Sequence, residues 1–229
     1  MKIKKFYLRE IFSKKTPDIS GNEGAILNHI DSFSRCYLEP RISSIPTSFD
    51  DRQLIFYIVG GKGLFEAGDM KREVQEGDGI IVPPGLSHIL TNTVTIPLEL
   101  LILEETISEE TELVRQEAII RNYREKPLSQ GHWTHLVHPL FGKDDGLIKT
   151  HAILVVRIEA MQTPDTHGHG SNIDEVWYML EGNGIHVVGR DVYRQRPGGA
   201  VSVAPSNPGH SLINDTEEPL VTFYFANYG

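Results

Sequence analysis

Short apolar runs recur along the chain, each bounded by glycine, proline or asparagine. IFYIV, GIIVP, ELLILE, HAILVVRIE, VWYML, IHVVG, AVSVA and VTFYFA are all of this kind. They are rich in β-branched and aromatic residues, so they predict strands. GGKG and EGNG supply hairpin-type turns in which positive φ is needed. Many such strands in succession predict an all-β fold, either a barrel or a double-sheet jelly roll. The run Ile153 to Val156 is apolar at every position, as expected if one face lines a barrel and the other packs on a second one. One stretch, Ile107 to Arg124, is mixed in character. It reads as a brief helix with Ser108 as N-cap, or as coil, to about Gln116, followed by a strand. The strand at AIIRN could equally open a second copy of the fold.

That second copy is visible as a repeat. GDGIIVPPGLSHILTN (77–92) matches GGAVSVAPSNPGHSLIN (198–214). The pairs Gly77 and Gly199, Pro83 and Pro205, His88 and His210, and Asn92 and Asn214 share one offset. Upstream, LIFYIVGGKG matches EVWYMLEGNG at an offset shorter by one, and YLEPRISSIP resembles RIEAMQTP. Three blocks in the same order imply a tandem duplication. The expected domains are 1–115 and 116–229, each a plausible size for a small domain.

Composition narrows the function. The chain of 229 residues carries a net charge of −9. With no basic patch interleaved with aromatics, nucleic acid is not an expected partner. The single cysteine, Cys36, cannot form an internal disulfide and reads as a core residue. The N-terminal segment lacks the apolar stretch of a secretory signal. No apolar run approaches the roughly 20 residues of a membrane helix. A cytoplasmic location, without membrane association, is expected.

The chemistry concentrates in the second copy. His167 and His169 are two apart, so in a strand both aim at one face. Glu175 and Trp177 share a face of the next strand, and His210 lies on a third. Three imidazoles and a carboxylate converging inside a barrel suit one divalent transition metal such as Fe, Mn, Ni or Zn, without selecting among them. No organic cofactor motif is present.

These residues resemble the cupin family, and the duplication resembles its two-domain members, the bicupins. The family's first motif, G-x5-H-x-H-x(3,4)-E-x6-G, is met by His167, His169, Glu175 and Gly182. Here the His-to-Glu spacing is one residue longer, and Met161 or Gln162 stands at the leading glycine. Asp174 would satisfy the usual spacing, but Glu175 keeps the six-residue step to Gly182. The second motif, G-x5-P-x-G-x2-H-x3-N, is met by Gly199, Pro205, His210 and Asn214, with Asn207 replacing a glycine. The resemblance implies two tandem jelly-roll barrels with a short linker, helical or coil. It also implies a metal held by His167, His169, Glu175 and His210.

The first copy is an internal control. Leu54 stands at the position of Glu175, and Thr47 and Phe49 fall at His167 and His169; only His88 survives. The first barrel is therefore expected to be degenerate and metal-free, with His88 a structural residue. Trp177 is expected to pack in the second barrel and wall a substrate pocket. Of His132, His135 and His138, spaced by three, His138 is the candidate to reach the metal cavity. Arg157 could pair with Glu159 at the surface or anchor a substrate carboxylate. The resulting expectation is an enzyme acting on a small oxygen-rich substrate (a sugar, uronate, or hydroxy or keto acid) by Lewis-acid isomerase or lyase chemistry. An Fe(II) dioxygenase and a non-catalytic binding protein are the alternatives. A homodimer is compatible with the sequence.

Overall fold

The computed structural model describes residues 6–15, 24–108, 111, 115–131, 134–170, 172–203 and 208–227. Among the described residues the fold is all-β, with two single-turn 3-10 segments, Tyr123–Glu125 and Lys143–Asp145. It divides into two compact units: Met1–Ala25 with Ile30–Asn122, and Ile26–His29 with Tyr123–Gly229. Among the described residues no helix is long and apolar enough to cross a membrane.

Each unit pairs a large sheet with a three-stranded one, and the strand orders repeat. In the first unit Asp78–Val82, Arg52–Gly60, Leu98–Thr106 and Ser32–Leu38 lie side by side in that order. In the second the same order is made by Ala200–Val203, Asp174–Glu181, Leu220–Asn227 and Ala152–Ile158. The small sheets correspond too: Met70–Gln75, Lys62–Ala67 and His88–Asn92 against Asp191–Gln195, Gly184–Val188 and His210–Ile213. These are two tandem jelly-roll barrels, as the repeat predicted.

Strand alternation sends every second side chain inward. Leu54, Phe56, Ile58, Phe65, Val74, Leu90 and Ile102 fill the first barrel. Val156, Ile158, Trp177, Met179, Val188, Leu212 and Tyr224 fill the second. Each such buried apolar side chain stabilises its barrel by about 1.5–3 kcal/mol. Cys36 lies in the first core, fully buried, and burial pushes its thiol up to about 12, so it behaves as a small hydrophobe.

Paired backbone contacts refine the repeat. Gly77 donates its N–H to Ile58 O, and Gly198 does the same to Met179 O, both at 2.9 Å. Both glycines have positive φ, 87° and 84°. The partner of Gly77 is thus Gly198, not Gly199; Pro205 and Asn207, on the far side of this shift, lie outside the described residues. Gly61 and Gly182 likewise correspond. A Cβ on Gly182 would stand 2.7 Å from Pro219 O, and one on Gly61 2.8 Å from Pro97 O. Only glycine fits where the strand turns over the next loop.

The strand Ile119–Asn122 does not open the second copy. It pairs with the first unit's sheet, Ile119 with Ile81 through Asn122 with Asp78. The division between units accordingly falls between Asn122 and Tyr123 rather than between 115 and 116. The helix expected over the preceding segment falls largely on residues 109–110 and 112–114, outside the described residues; Ser108 and Thr111 are joined by a turn. Asp174 is buried, and its two oxygens accept the backbone N–H groups of Asn28 and His29, each at 2.7 Å.

Candidate metal centre

His167 and His210 are held opposite one another by a two-bond bridge. His167 N–H donates to His210 O at 3.1 Å, and His210 N–H to His167 O at 2.8 Å. His169 follows two residues on, and Glu175 projects from the neighbouring strand Asp174–Glu181. The nearest ligand atoms of His167, His169 and His210 all lie within 4.8 Å of one another. Glu175 Oε1 lies 3.0 Å from His210 Nε2, and Oε2 lies 3.4 Å from His169 Nε2. Around an ion about 2.1 Å from each donor, neighbouring donors stand roughly 3 Å apart and opposed donors roughly 4.2 Å. The four side chains therefore fit a transition ion with small adjustments.

The hydrogen bonding makes that fit specific. The Nδ1 atoms of His167 and His210 face the carbonyl oxygens of Asp165 and Pro208 at 3.3 and 3.4 Å. A carbonyl only accepts, so each Nδ1 carries the proton and each Nε2 presents a bare lone pair to the cluster. His210 Nε2 and Glu175 Oε2 are buried and have no hydrogen-bond partner among the described residues. Two buried acceptors, the His210 imidazole nitrogen and Glu175 Oε2, are thus left side by side without a donor. Such an arrangement is repulsive unless a cation or a proton sits between them. Burial works to raise the Glu175 carboxyl, but a proton on the facing side of His210, together with the Trp177 N–H, overcomes it and holds it below the usual range. Burial lowers the His167 imidazole, which favours the neutral form that coordinates.

Asp174, the other carboxylate with suitable spacing, is engaged elsewhere, accepting the Asn28 and His29 N–H groups. Trp177 is 4% exposed, so it does not wall an open pocket; its Nε1–H donates to Glu175 Oε1 at 2.8 Å. His138 is on the wrong face. It pairs with Val155, whereas its neighbour Val137 packs into the barrel, and its Nδ1 bonds Lys126 O at 2.9 Å. Three residues along a strand reverse the face, so His135 is the one turned inward, its ring 5.6 Å from Trp177 and 6.3 Å from His167. His132 lies outside the described residues. Arg157, between the inward Val156 and Ile158, points outward and forms a two-pronged ion pair with Glu159 at 2.6 and 3.2 Å.

Beneath Trp177 lie two residues that motif reading passed over. Gln195 Nε2 donates to Trp177 O at 2.8 Å and to Gly199 O at 3.1 Å, and Gln195 Oε1 lies 3.0 Å from His186 Nδ1. With both amide hydrogens engaged, Oε1 must accept, so His186 is protonated on Nδ1. The repeat could have revealed both, because they stand where Phe65 and Val74 stand in the first barrel.

In the first barrel Thr47 holds the place of His167, bridged to His88 by bonds of 3.0 and 2.9 Å. His88 is buried against Phe56 and Phe65, and burial lowers its imidazole. The paired asparagines are ties, not ligands. Asn92 donates to Leu38 O and Ile96 O, and Asn214 to the carbonyls of Ile158, Glu159 and Glu218.

Residues 35–104 match the family model described as a cupin domain. The first barrel therefore carries the sequence signature of a cupin domain. That match falls on the first barrel, while the histidine cluster sits in the second. Among solved structures the chain is similar to a Pseudomonas aeruginosa protein described as glyoxylate-induced, with TM-score 0.79, 13% identity, and 96% of this chain and 80% of that one covered. It is similar to a mutant of Bacillus subtilis oxalate decarboxylase, with TM-score 0.72, 16% identity, and 100% and 74% covered. It is also similar to the 7S globulin of Momordica charantia, with TM-score 0.71, 14% identity, and 100% and 81% covered. At these identities the likeness is one of fold. An uncharacterized protein of Methanocaldococcus jannaschii is 40% identical over 47 residues, 20% of this chain. The chain spans 38% of that relative's length.

Proposed function

We propose that the second barrel holds one divalent first-row transition ion through His167, His169, Glu175 and His210, and that the protein is an enzyme acting on a small oxygen-rich acid or sugar. The observation that carries this reading is the convergence of three imidazoles within 4.8 Å on a buried carboxylate, with His210 Nε2 and Glu175 Oε2 left without hydrogen-bond partners among the described residues. When bound, the ion supplies Lewis acidity to a coordinated substrate oxygen, and one-electron chemistry as well if it is iron. The chain's own residues set the direction of approach. Glu175 and His210 are buried and His169 is partly exposed, so substrate reaches the cluster from the His167 and His169 side. Arg157, paired with Glu159, is left out of the site.

Similar folds include oxalate decarboxylases, one of them in a formate complex. This supports placing oxalate and related hydroxy and keto acids first among the substrates tried, ahead of uronates and keto-sugars. The test is elemental analysis of protein never exposed to a nickel column, followed by turnover with and without oxygen. One equivalent of ion in the wild type, lost in His167→Ala and weakened in Glu175→Ala but kept in His88→Ala, supports the reading. Equal metal in wild type and His167→Ala refutes it. Anaerobic turnover marks an isomerase or lyase, and substrate-dependent oxygen uptake marks a dioxygenase. Ligand binding by metal-replete protein without turnover marks a binding protein.

A further inference from the structure

The two barrels differ at a connected set of inward positions. In the first barrel Leu54, Phe56, Phe65, Val74 and Ile102 pack as one apolar cluster. Strand pairing puts their counterparts at Glu175, Trp177, His186, Gln195 and Tyr224. Leu54 pairs with Val82 as Glu175 pairs with Val203, and Phe56 pairs with Ile102 as Trp177 pairs with Tyr224. Phe65 pairs with Leu90 as His186 pairs with Leu212. An all-apolar filling is therefore sufficient for this barrel. The polar set in the second barrel costs desolvation, which a purely structural role does not require.

The polar set acts on one atom. Trp177 Nε1–H occupies Glu175 Oε1, whereas Oε2 has no hydrogen-bond partner among the described residues. The indole is fixed by the rings of Tyr224 at 4.6 Å, His135 at 5.6 Å and His186 at 5.8 Å. Gln195 clamps the Trp177 carbonyl and orients His186. We infer that Trp177, seated on Gln195 and His186, is a positioning residue that ties down Oε1 so that Glu175 offers only Oε2 as a ligand. This rests on the metal reading above and deepens it. Three imidazoles and one carboxylate oxygen take four positions of an octahedral ion and leave two adjacent ones open, as a chelating substrate requires. A carboxylate gripping through both oxygens would leave one. Trp177 thus selects for substrates that bind through two oxygens.

The test uses Co(II) as the ion and oxalate as the two-oxygen probe, read by the visible absorption of the Co(II) protein. The variants are Trp177→Phe and the double variant His186→Phe with Gln195→Val, which install the first barrel's residues. Thermal melting of the metal-free proteins checks folding. In the expected outcome both variants still bind one equivalent of Co(II), the Co(II) spectrum shifts, and oxalate binds about tenfold or more weakly, the usual scale for loss of a group supporting a metal ligand. Acetate, which needs one position, should bind within about twofold of wild type, whereas a general loosening of the site would weaken both anions. If Co(II) spectra and oxalate affinity are unchanged in folded Trp177→Phe, the positioning role is refuted while the metal site stands. If wild-type protein takes up no Co(II), the metal reading falls and this inference with it.

Discussion

His186 is the perturbation whose consequence can be followed furthest. It is wholly buried, and burial pushes its imidazole down to about 4, against a smaller opposing effect of its bond to Gln195. In the unfolded chain it titrates near 6.5. A depressed folded value means that the unfolded state takes up the proton first. The stability that neutral His186 contributes is thus fully present above about pH 6.5 and is lost as pH falls towards 4. The slope in that window is about 1.4 kcal/mol per pH unit, so roughly 2 kcal/mol is gone by pH 5, about a thirtyfold change in the folding equilibrium. The assay is urea unfolding of metal-free protein at pH 7.5 and pH 5.0, comparing wild type with His186→Phe. The other histidines titrate in both proteins, so the difference between the two pH losses isolates His186. Wild type should lose about 2 kcal/mol more than the variant. Equal losses would refute the assignment of a buried, neutral His186 with Nδ1 held by Gln195.

Glu175→Leu, which copies Leu54, should weaken metal uptake yet leave metal-free protein as stable as wild type or more so, because it removes a buried carboxylate. A clear drop in the melting temperature of metal-free protein would count against that. Gly182→Ala should cost about 2 kcal/mol or more, since a side chain at φ 75° is strained and its Cβ would overlap Pro219 O. Gly60→Ala, with nothing within 4 Å of its added Cβ, should change the melting temperature little. Asn214→Ala should cost about 3 kcal/mol by orphaning buried carbonyls while leaving metal content intact. Loss of metal without loss of stability would instead make Asn214 part of the site.

The parts of this molecule that were legible in its sequence are those governed by short-range periodicity. Alternation and glycine turns announced the strands, and the His167 to Gly182 spacing announced the cluster, although His167 and His169 lie not on a strand but on a segment joined to His210 by an isolated bridge. What was missed depends on pairing between distant segments. Whether His135 or His138 turns inward is decided by the register with Val155 and Val156. Gly198 rather than Gly199 matches Gly77 because of one bond to Met179 O. Ile119–Asn122 looks like the start of a copy, yet it pairs with a strand about forty residues earlier, Asp78–Val82. His186 and Gln195 carry no motif at all. Their signal is only that polar residues stand where the duplicate is apolar, and reading it requires the two hairpins to be aligned residue by residue.

The seat of Asp174 bears on how the duplicated halves can be taken apart. Its two oxygens are satisfied by Asn28 and His29, a four-residue piece of the early chain that clusters with the later barrel. A fragment starting at Tyr123 would keep every proposed ligand and still lose two hydrogen bonds to a buried carboxyl next door to Glu175. The halves have ceased to be interchangeable cassettes. Dissection, circular permutation or fusion of the later barrel has to carry Ile26–His29 along, or replace Asp174 with a residue that does not need them.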